Sequence, residues 1–188
     1  MANARPHVLG VDDGPFRKGQ KESVPLVGAM MEGANLVESV AVTRFEVDGA
    51  EATDFLARWI SGLPSHASTQ AVLLGGITIA GLGVVDVDEL AAGLGRPVIV
   101  VNRRNPSDSR LREALLSAGF HDRIAILEST PPATRMRDGP FIAWAGAELE
   151  LAEHLVRSTL RKAQLPEPLR VAHMIARALV SGESRGRV

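Results

Sequence analysis

The apolar periodicity changes character near residue 50, and that change limits the fold more than any single motif. Before it come strand-length apolar stretches separated by short polar turns. Val8–Val11 is the first. Val24–Met31 follows the polar loop Arg17-Lys18-Gly19-Gln20-Lys21. After the turn Gly33-Ala34-Asn35 comes Leu36–Val47, where Val40 and Val42 alternate with polar neighbours. Three strands joined by short loops predict an antiparallel meander. After it, helical and strand patterns alternate. Phe55, Leu56, Trp59 and Ile60 have helical spacing within Ala52–Ile60, which stops at Leu63-Pro64-Ser65-His66. Ala71–Leu74 and Pro97–Val101 are compact apolar runs suited to parallel strands buried on both faces.

The remaining spacing predicts helices over Val87–Leu94, closed by Gly95, and over Asp108–Ala118, with Ser107 or Asp108 as N-cap and Gly119 as the stop. Ile124–Leu127 reads as a strand, Thr130–Pro140 as a loop and Phe141–Trp144 as an edge strand. Ala147–Ala163 is an amphipathic helix with Leu149, Ala152, Leu155, Val156, Leu160 and Ala163 on one face. A last helix starts at Pro166-Glu167-Pro168 and runs to Ser181, followed by a Gly/Ser/Arg-rich tail from Gly182. The fold class expected is α/β: a mixed sheet, antiparallel in its first three strands and parallel thereafter, flanked by helices, in one domain spanning 1–188.

Composition narrows the functions open to such a domain. The net charge of −1 supplies no global basic field, so any nucleic-acid binding needs a local patch. With no cysteine, disulfides, thiolate metal sites and cysteine nucleophiles are excluded. No tyrosine and 4% aromatic residues argue against a broad base-stacking surface. The start Met1-Ala2-Asn3-Ala4-Arg5-Pro6 has no apolar core, and no run is long enough to span a bilayer, so a cytoplasmic protein is expected.

The first strand ends in Asp12-Asp13-Gly14-Pro15. Carboxylates delivered to the rim of a sheet suit a hard ion such as magnesium. Asp-Gly and Gly-Pro are also turn dipeptides. Adjacent residues on a strand point to opposite faces, so one aspartate can face a site while the other caps the turn.

Across the chain, Val8-Leu9-Gly10-Val11-Asp12-Asp13-Gly14-Pro15-Phe16, Val47-Asp48-Gly49 with Thr53, and Gly75-Gly76-Ile77-Thr78-Ile79-Ala80-Gly81 recur in order. Val84-Val85-Asp86, Pro97–Val101, Pro166-Glu167-Pro168-Leu169-Arg170-Val171-Ala172-His173 and Gly182-Glu183-Ser184-Arg185-Gly186 follow. This series resembles the family catalogued as domain of unknown function 99, which is similar to endonuclease V. The resemblance implies a ribonuclease H-like fold, with the first and fourth strands adjacent and their carboxyl ends sharing one site. It also implies magnesium-dependent cutting of a phosphodiester near deaminated purines. Gly10-Val11-Asp12 looks like the first-strand motif, which would make Asp12 a metal ligand, with Asp48 the nearest candidate for the acid after the third strand. Two positions depart from the pattern: Gly75-Gly76 stands where the enzymes carry Asp-Gly, and Gly146-Ala147 where they carry Gly-His. Their aromatic-proline wedge has no counterpart after Phe45.

The site expected from these readings has Asp12, Asp48 and Asp86 as catalytic carboxylates, with Asp12, Asp13 and Asp48 holding magnesium or manganese. Asp86 also fits the N-cap of the following helix, and Asp48 an Asp-Gly turn. Arg103 and Arg104, after the Pro97 strand, and Arg170 and His173, which share a helix face with Arg177, would hold phosphate. Arg185 and Arg187 lie just beyond. The same helix also reads as a solvated face, and a lone histidine there as structural. Gly75-Gly76 and Gly81-Leu82-Gly83 would let backbone amides approach phosphate, but no Walker or Gly-x-Gly-x-x-Gly motif is present. Trp59 and Trp144 suit packing. The expected partner is nucleic acid or a nucleotide, with no membrane. The expected activity is a divergent metal-dependent nuclease or phosphodiesterase. The alternatives are a binding protein that kept the fold without the chemistry, and an interaction module with no phosphate ligand.

Overall fold

A computed structural model describes residues 5–17, 19, 22–106, 108–161 and 164–184. Three strands open the chain: β1 (His7–Asp13), β2 (Ser23–Glu32) and β3 (Leu36–Glu46). They form the expected antiparallel meander, β2 lying between the other two. Helix α1 (Ala52–Ser61) and a short 3-10 turn, Pro64–Ala67, lead into β4 (Ala71–Leu74). There follow the hairpin β5 (Thr78–Ile79) and β6 (Gly83–Val84), α2 (Val87–Leu94), β7 (Val98–Asn102) and α3 (Asp108–Ala118). The last elements are the 3-10 turn His121–Arg123, α4 (Ile124–Ser129), β8 (Thr134–Arg135), β9 (Phe141–Ala145), α5 (Leu149–Thr159) and α6 (Glu167–Ser181).

Seven strands make one mixed sheet in the order β3-β2-β1-β4-β7-β9-β8. β1, β4 and β7 are parallel neighbours at its centre, and every residue of β4 is buried. That explains the unbroken apolar run there, since a strand covered on both faces has no solvent side to keep polar. On one face Leu9, Val11, Val72 and Leu74 pack against Leu56 and Ile60 of α1 and Leu90 of α2. On the other, Val8, Leu73 and Ile99 meet Ala152, Leu155 and Val156 of α5 and Leu169 of α6. Trp59 and Trp144 pack against these two clusters, as a packing role requires.

Three elements depart from the sequence expectations. Ile124–Leu127 belongs to helix α4. Ile124 and Leu127 are three apart and join Leu111, Leu115 and Phe120 in a satellite cluster, and a short apolar run carries no period that separates helix from strand. Phe141–Trp144 is interior rather than edge, because the loop before it contributes β8; β9 also runs antiparallel to β7, so the second half of the sheet is not wholly parallel. The amphipathic helix starts at Leu149 rather than Ala147, after Gly146 in the left-handed region (φ 77°), and ends at Thr159. Ser107, Ala163, Arg185 and Arg187 lie outside the described residues.

Candidate functional site

Helix α6 rests on β1 unusually closely, and glycines make that approach available. A Cβ built on Gly10 would lie 2.3 Å from the Pro168 carbonyl carbon and 2.5 Å from the Leu169 nitrogen. One built on Gly14 would lie 2.9 Å from Val180 Cγ2 and 3.0 Å from the Ala176 oxygen. Gly10, Asp12 and Gly14 share a face by the two-residue period of a strand. The helix therefore runs alongside β1 in the same direction, its first turn over Gly10 and its last over Gly14. His173 falls between, above Asp12, and its Nδ1–H donates to Asp12 Oδ2 at 2.8 Å.

The Asp12–His173 pair opens into a pocket of about 970 Å3 at the carboxyl ends of β1, β4 and β7. Arg103, Arg104 and Asn105 of the loop after β7, Arg177 one turn beyond His173, and Gly75 just after β4 also line it. Asp12, Arg103, Arg104 and His173, four residues expected at the site, thus converge. The His173 pKa is raised, first by its hydrogen bond to Asp12 and then by that carboxylate's charge, against burial and the nearby Arg177 cation. The imidazolium form is favoured, leaving Nε2 for a ligand. Asp12 Oδ1 accepts the Asp13 amide at 2.9 Å. A Cβ built on Gly75 would sit 3.7 Å from Oδ1 and meet no other residue within 4 Å, so the space beside this oxygen is open.

The other expected site residues have different duties. Asp13 points to the opposite face, where Oδ2 accepts the Ala80 amide of the β5–β6 hairpin at 2.9 Å. Burial, then the Asp12 charge, lifts its pKa to about 6, against the Ala80 hydrogen bond. Asp48, in the left-handed region at φ 58°, accepts the Leu82 amide at 2.8 Å. Arg123 clamps the same turn, donating to the Leu82 and Asp48 carbonyls at 2.6 and 2.8 Å. Asp86 is the N-cap of α2: its Oδ1 accepts the Glu89 amide at 2.9 Å, and its own amide donates to Thr53 Oγ1. Arg170 is held by Glu167, a buried carboxylate that accepts from Nε at 2.9 Å and Nη2 at 2.6 Å.

The expected carboxylate cluster of Asp12, Asp48 and Asp86 is therefore corrected. Among the described residues, no group of three or more His, Asp or Glu side chains is arranged to hold a metal. Asp48 and Asp86 are spent on backbone amides that a turn and a helix start would otherwise leave unmatched. Ala147 bears no role in the pocket; its carbonyl accepts the Trp144 indole N–H at 3.1 Å. Sequence reasoning did not single out Asn102 or Asn105, and it did not read Gly10-x-Asp12-x-Gly14 as a helix-docking face. The two-residue spacing of small residues around Asp12 was the available signal. No helix among the described residues is long and apolar enough to cross a membrane.

This mixed sheet, with its first strand beside the fourth and helices on both faces, gives the chain an α/β fold shared with endonuclease V. Endonuclease V from Ciona intestinalis, in complex with a 24mer DNA containing an inosine followed by a ribo-adenosine, superposes with a TM-score of 0.57 over 92% of this chain and 84% of that one, at 13% identity. A model of the family described as endonuclease dU matches residues 4–180, and the chain belongs to that family. A UPF0215 protein of Methanothermobacter thermautotrophicus is 37% identical over 184 residues, covering 95% of this chain and 90% of the relative. The crystal structure of a protein of unknown function from Archaeoglobus fulgidus has a TM-score of 0.85 at 30% identity, covering 94% of this chain and 99% of that one.

Proposed function

We infer that this chain is an endonuclease that hydrolyses a DNA phosphodiester close to a deoxyuridine. The observation that carries the reading is the Asp12–His173 pair on a pocket lined by arginines. The family description, which has dU in its name, supports the substrate. The DNA bound by the Ciona protein supports nucleic acid as the class of partner.

Arg103, Arg104 and Arg177 hold the non-bridging oxygens of the phosphate; guanidinium forks match them in charge and geometry. His173, whose protonated form Asp12 favours, gives its Nε2 proton to the leaving oxygen as the phosphorus–oxygen bond breaks and water adds to phosphorus; the water loses one proton to solvent, and His173 takes one back before the next turnover. The donor set fits one hard ion rather than two. Asp12 Oδ1 would hold magnesium or manganese, with water and substrate oxygens completing the shell, and the ion would neutralise charge on the phosphate.

Oligonucleotides carrying one deoxyuridine, one deoxyinosine or neither, incubated with magnesium, manganese or chelator, address this directly. Cleavage near deoxyuridine is expected, falling about 100- to 10,000-fold in His173→Ala and in Asp12→Ala. DNA binding without cleavage under every metal condition would instead support a second reading, a non-catalytic nucleic-acid-binding protein. Gly75 favours that alternative, since it places no second carboxylate beside Asp12.

A further inference from the structure

The far end of β1 carries a second concavity, of about 500 Å3, between the segment before the strand, the β2–β3 turn and α5. At about 3.3 Å of rise per residue, the strand puts it about 20 Å from Asp12. Arg5, Asn35, His154, Arg157 and Ser158 supply its polar lining, and no described carboxylate lines it. The wall thus holds two guanidinium groups and an imidazole in a chain whose net charge is −1.

The cations are positioned by the fold. The stem of Arg5 runs over Gly33, where a Cβ would lie 3.2 Å from Arg5 Cβ and 3.4 Å from its Cγ and Cδ. The Gly33 amide donates to the Pro6 carbonyl at 2.8 Å, tying the turn to the same segment. The side chains of Arg5 and His154 make no hydrogen bond or ion pair among the described residues. His154, Arg157 and Ser158 share one face of α5 by their spacing of three and four. Arg157 Nη2 stands 3.4 Å from Glu153 Oε2 in an exposed pair, which a ligand displaces at little cost. The Ser158 hydroxyl donates to the Leu155 carbonyl and keeps its proton from a ligand.

We propose that this concavity is a binding site for a small phosphorylated ligand of nucleoside-phosphate size, separate from the reaction pocket. Its volume falls within the range of small-molecule sites, about 300–1,000 Å3. Paired guanidinium groups without a carboxylate in the wall select a phosphate. The ligand bridges the segment before β1, the β2–β3 turn and α5, so occupancy raises the melting temperature by mass action.

Calorimetric titration and thermal melting of the full chain, with pyrophosphate and with adenosine monophosphate as probes, decide it. Binding is expected in the native protein and in Arg103→Ala/Arg104→Ala, which removes cations from the other pocket. Arg5→Ala/Arg157→Ala should weaken it at least tenfold. Glu153→Gln should tighten it, by removing the carboxylate that competes for Arg157. Arg5→Lys/Arg157→Lys guards against misfolding and should bind with intermediate affinity, keeping charge but losing the fork. Loss of binding in Arg103→Ala/Arg104→Ala with retention in Arg5→Ala/Arg157→Ala would overturn the proposal, as would no binding of either probe at millimolar concentration. Displacement of pyrophosphate from this site by a short DNA duplex would overturn it too, making the occupant a nucleic-acid backbone.

Discussion

Two neighbouring aspartates with opposite surroundings set the behaviour of this molecule at the scale of single residues. Asp12 faces the open pocket and a histidine; Asp13 is pressed into the other face against the Ala80 amide. The Asp13 pKa, raised to about 6 from 3.8, means the folded state binds that proton more tightly than the unfolded chain. Its contribution to stability is full below pH 3.8 and is lost as pH rises through about 6. Asp13→Asn keeps an acceptor for Ala80 without the charge. It should be more stable than the native chain by about 1–2 kcal/mol at pH 7.5, with the difference vanishing near pH 4 in thermal melts. His173 acts in the same direction in a higher window, adding stability below its ordinary 6.5 that fades above its raised folded pKa. The open space beside Asp12 yields a second expectation: Gly75→Asp brings a carboxylate next to Oδ1 without a clash. Magnesium should then raise the melting temperature of the variant more than that of the native chain.

Among the elements, the packing of α6 on β1 decides whether there is a site at all. Gly10→Ala would drive a methyl into the Pro168–Leu169 backbone. A loss of about 1–3 kcal/mol in denaturant unfolding is expected, together with loss of the His173–Asp12 hydrogen bond, visible in the imidazole NMR signals. Most elements were legible in the sequence: Val87–Leu94 and Asp108–Ala118 are long enough to carry a helical period, Ala71–Leu74 is an unbroken apolar run stopped by Gly75-Gly76, and all three match the structure end to end. The failures share a cause. Ile124–Leu127 is too short to carry a period, and the β5–β6 hairpin and β8 are two-residue strands defined by their partners. Half of the site was legible for a related reason. Asp12, Arg103 and Arg104 stand at strand ends, where topology alone sends them to one rim. Asp48, Asp86 and Arg170 were misread because Asp-Gly, an N-cap and a salt-bridged helix residue look the same in sequence whether they hold backbone or substrate.

For the whole molecule, charge is local. A net charge of −1 supplies no general attraction for DNA, so the proposed function requires the arginines around the pocket to provide the affinity. Arg103→Ala should lower duplex affinity and flatten its dependence on log salt by about 0.9 for each phosphate that is no longer neutralised, measured by fluorescence anisotropy. A variant that binds more weakly with an unchanged slope would place that arginine away from the backbone.

The hydrogen bond between Asp12 and His173 also joins the first strand to the last helix, across 161 residues of sequence. A chain emerging from the ribosome can lay down β1, β2 and β3 long before α6 exists, and through that interval Asp12 has no imidazole to meet. A fragment cut before residue 167 would contain all seven strands of the sheet and lack the working pair. On the proposed reading, synthesis itself acts as a safeguard, withholding the Asp12–His173 pair, and the cleavage assigned to it, from every copy that lacks α6.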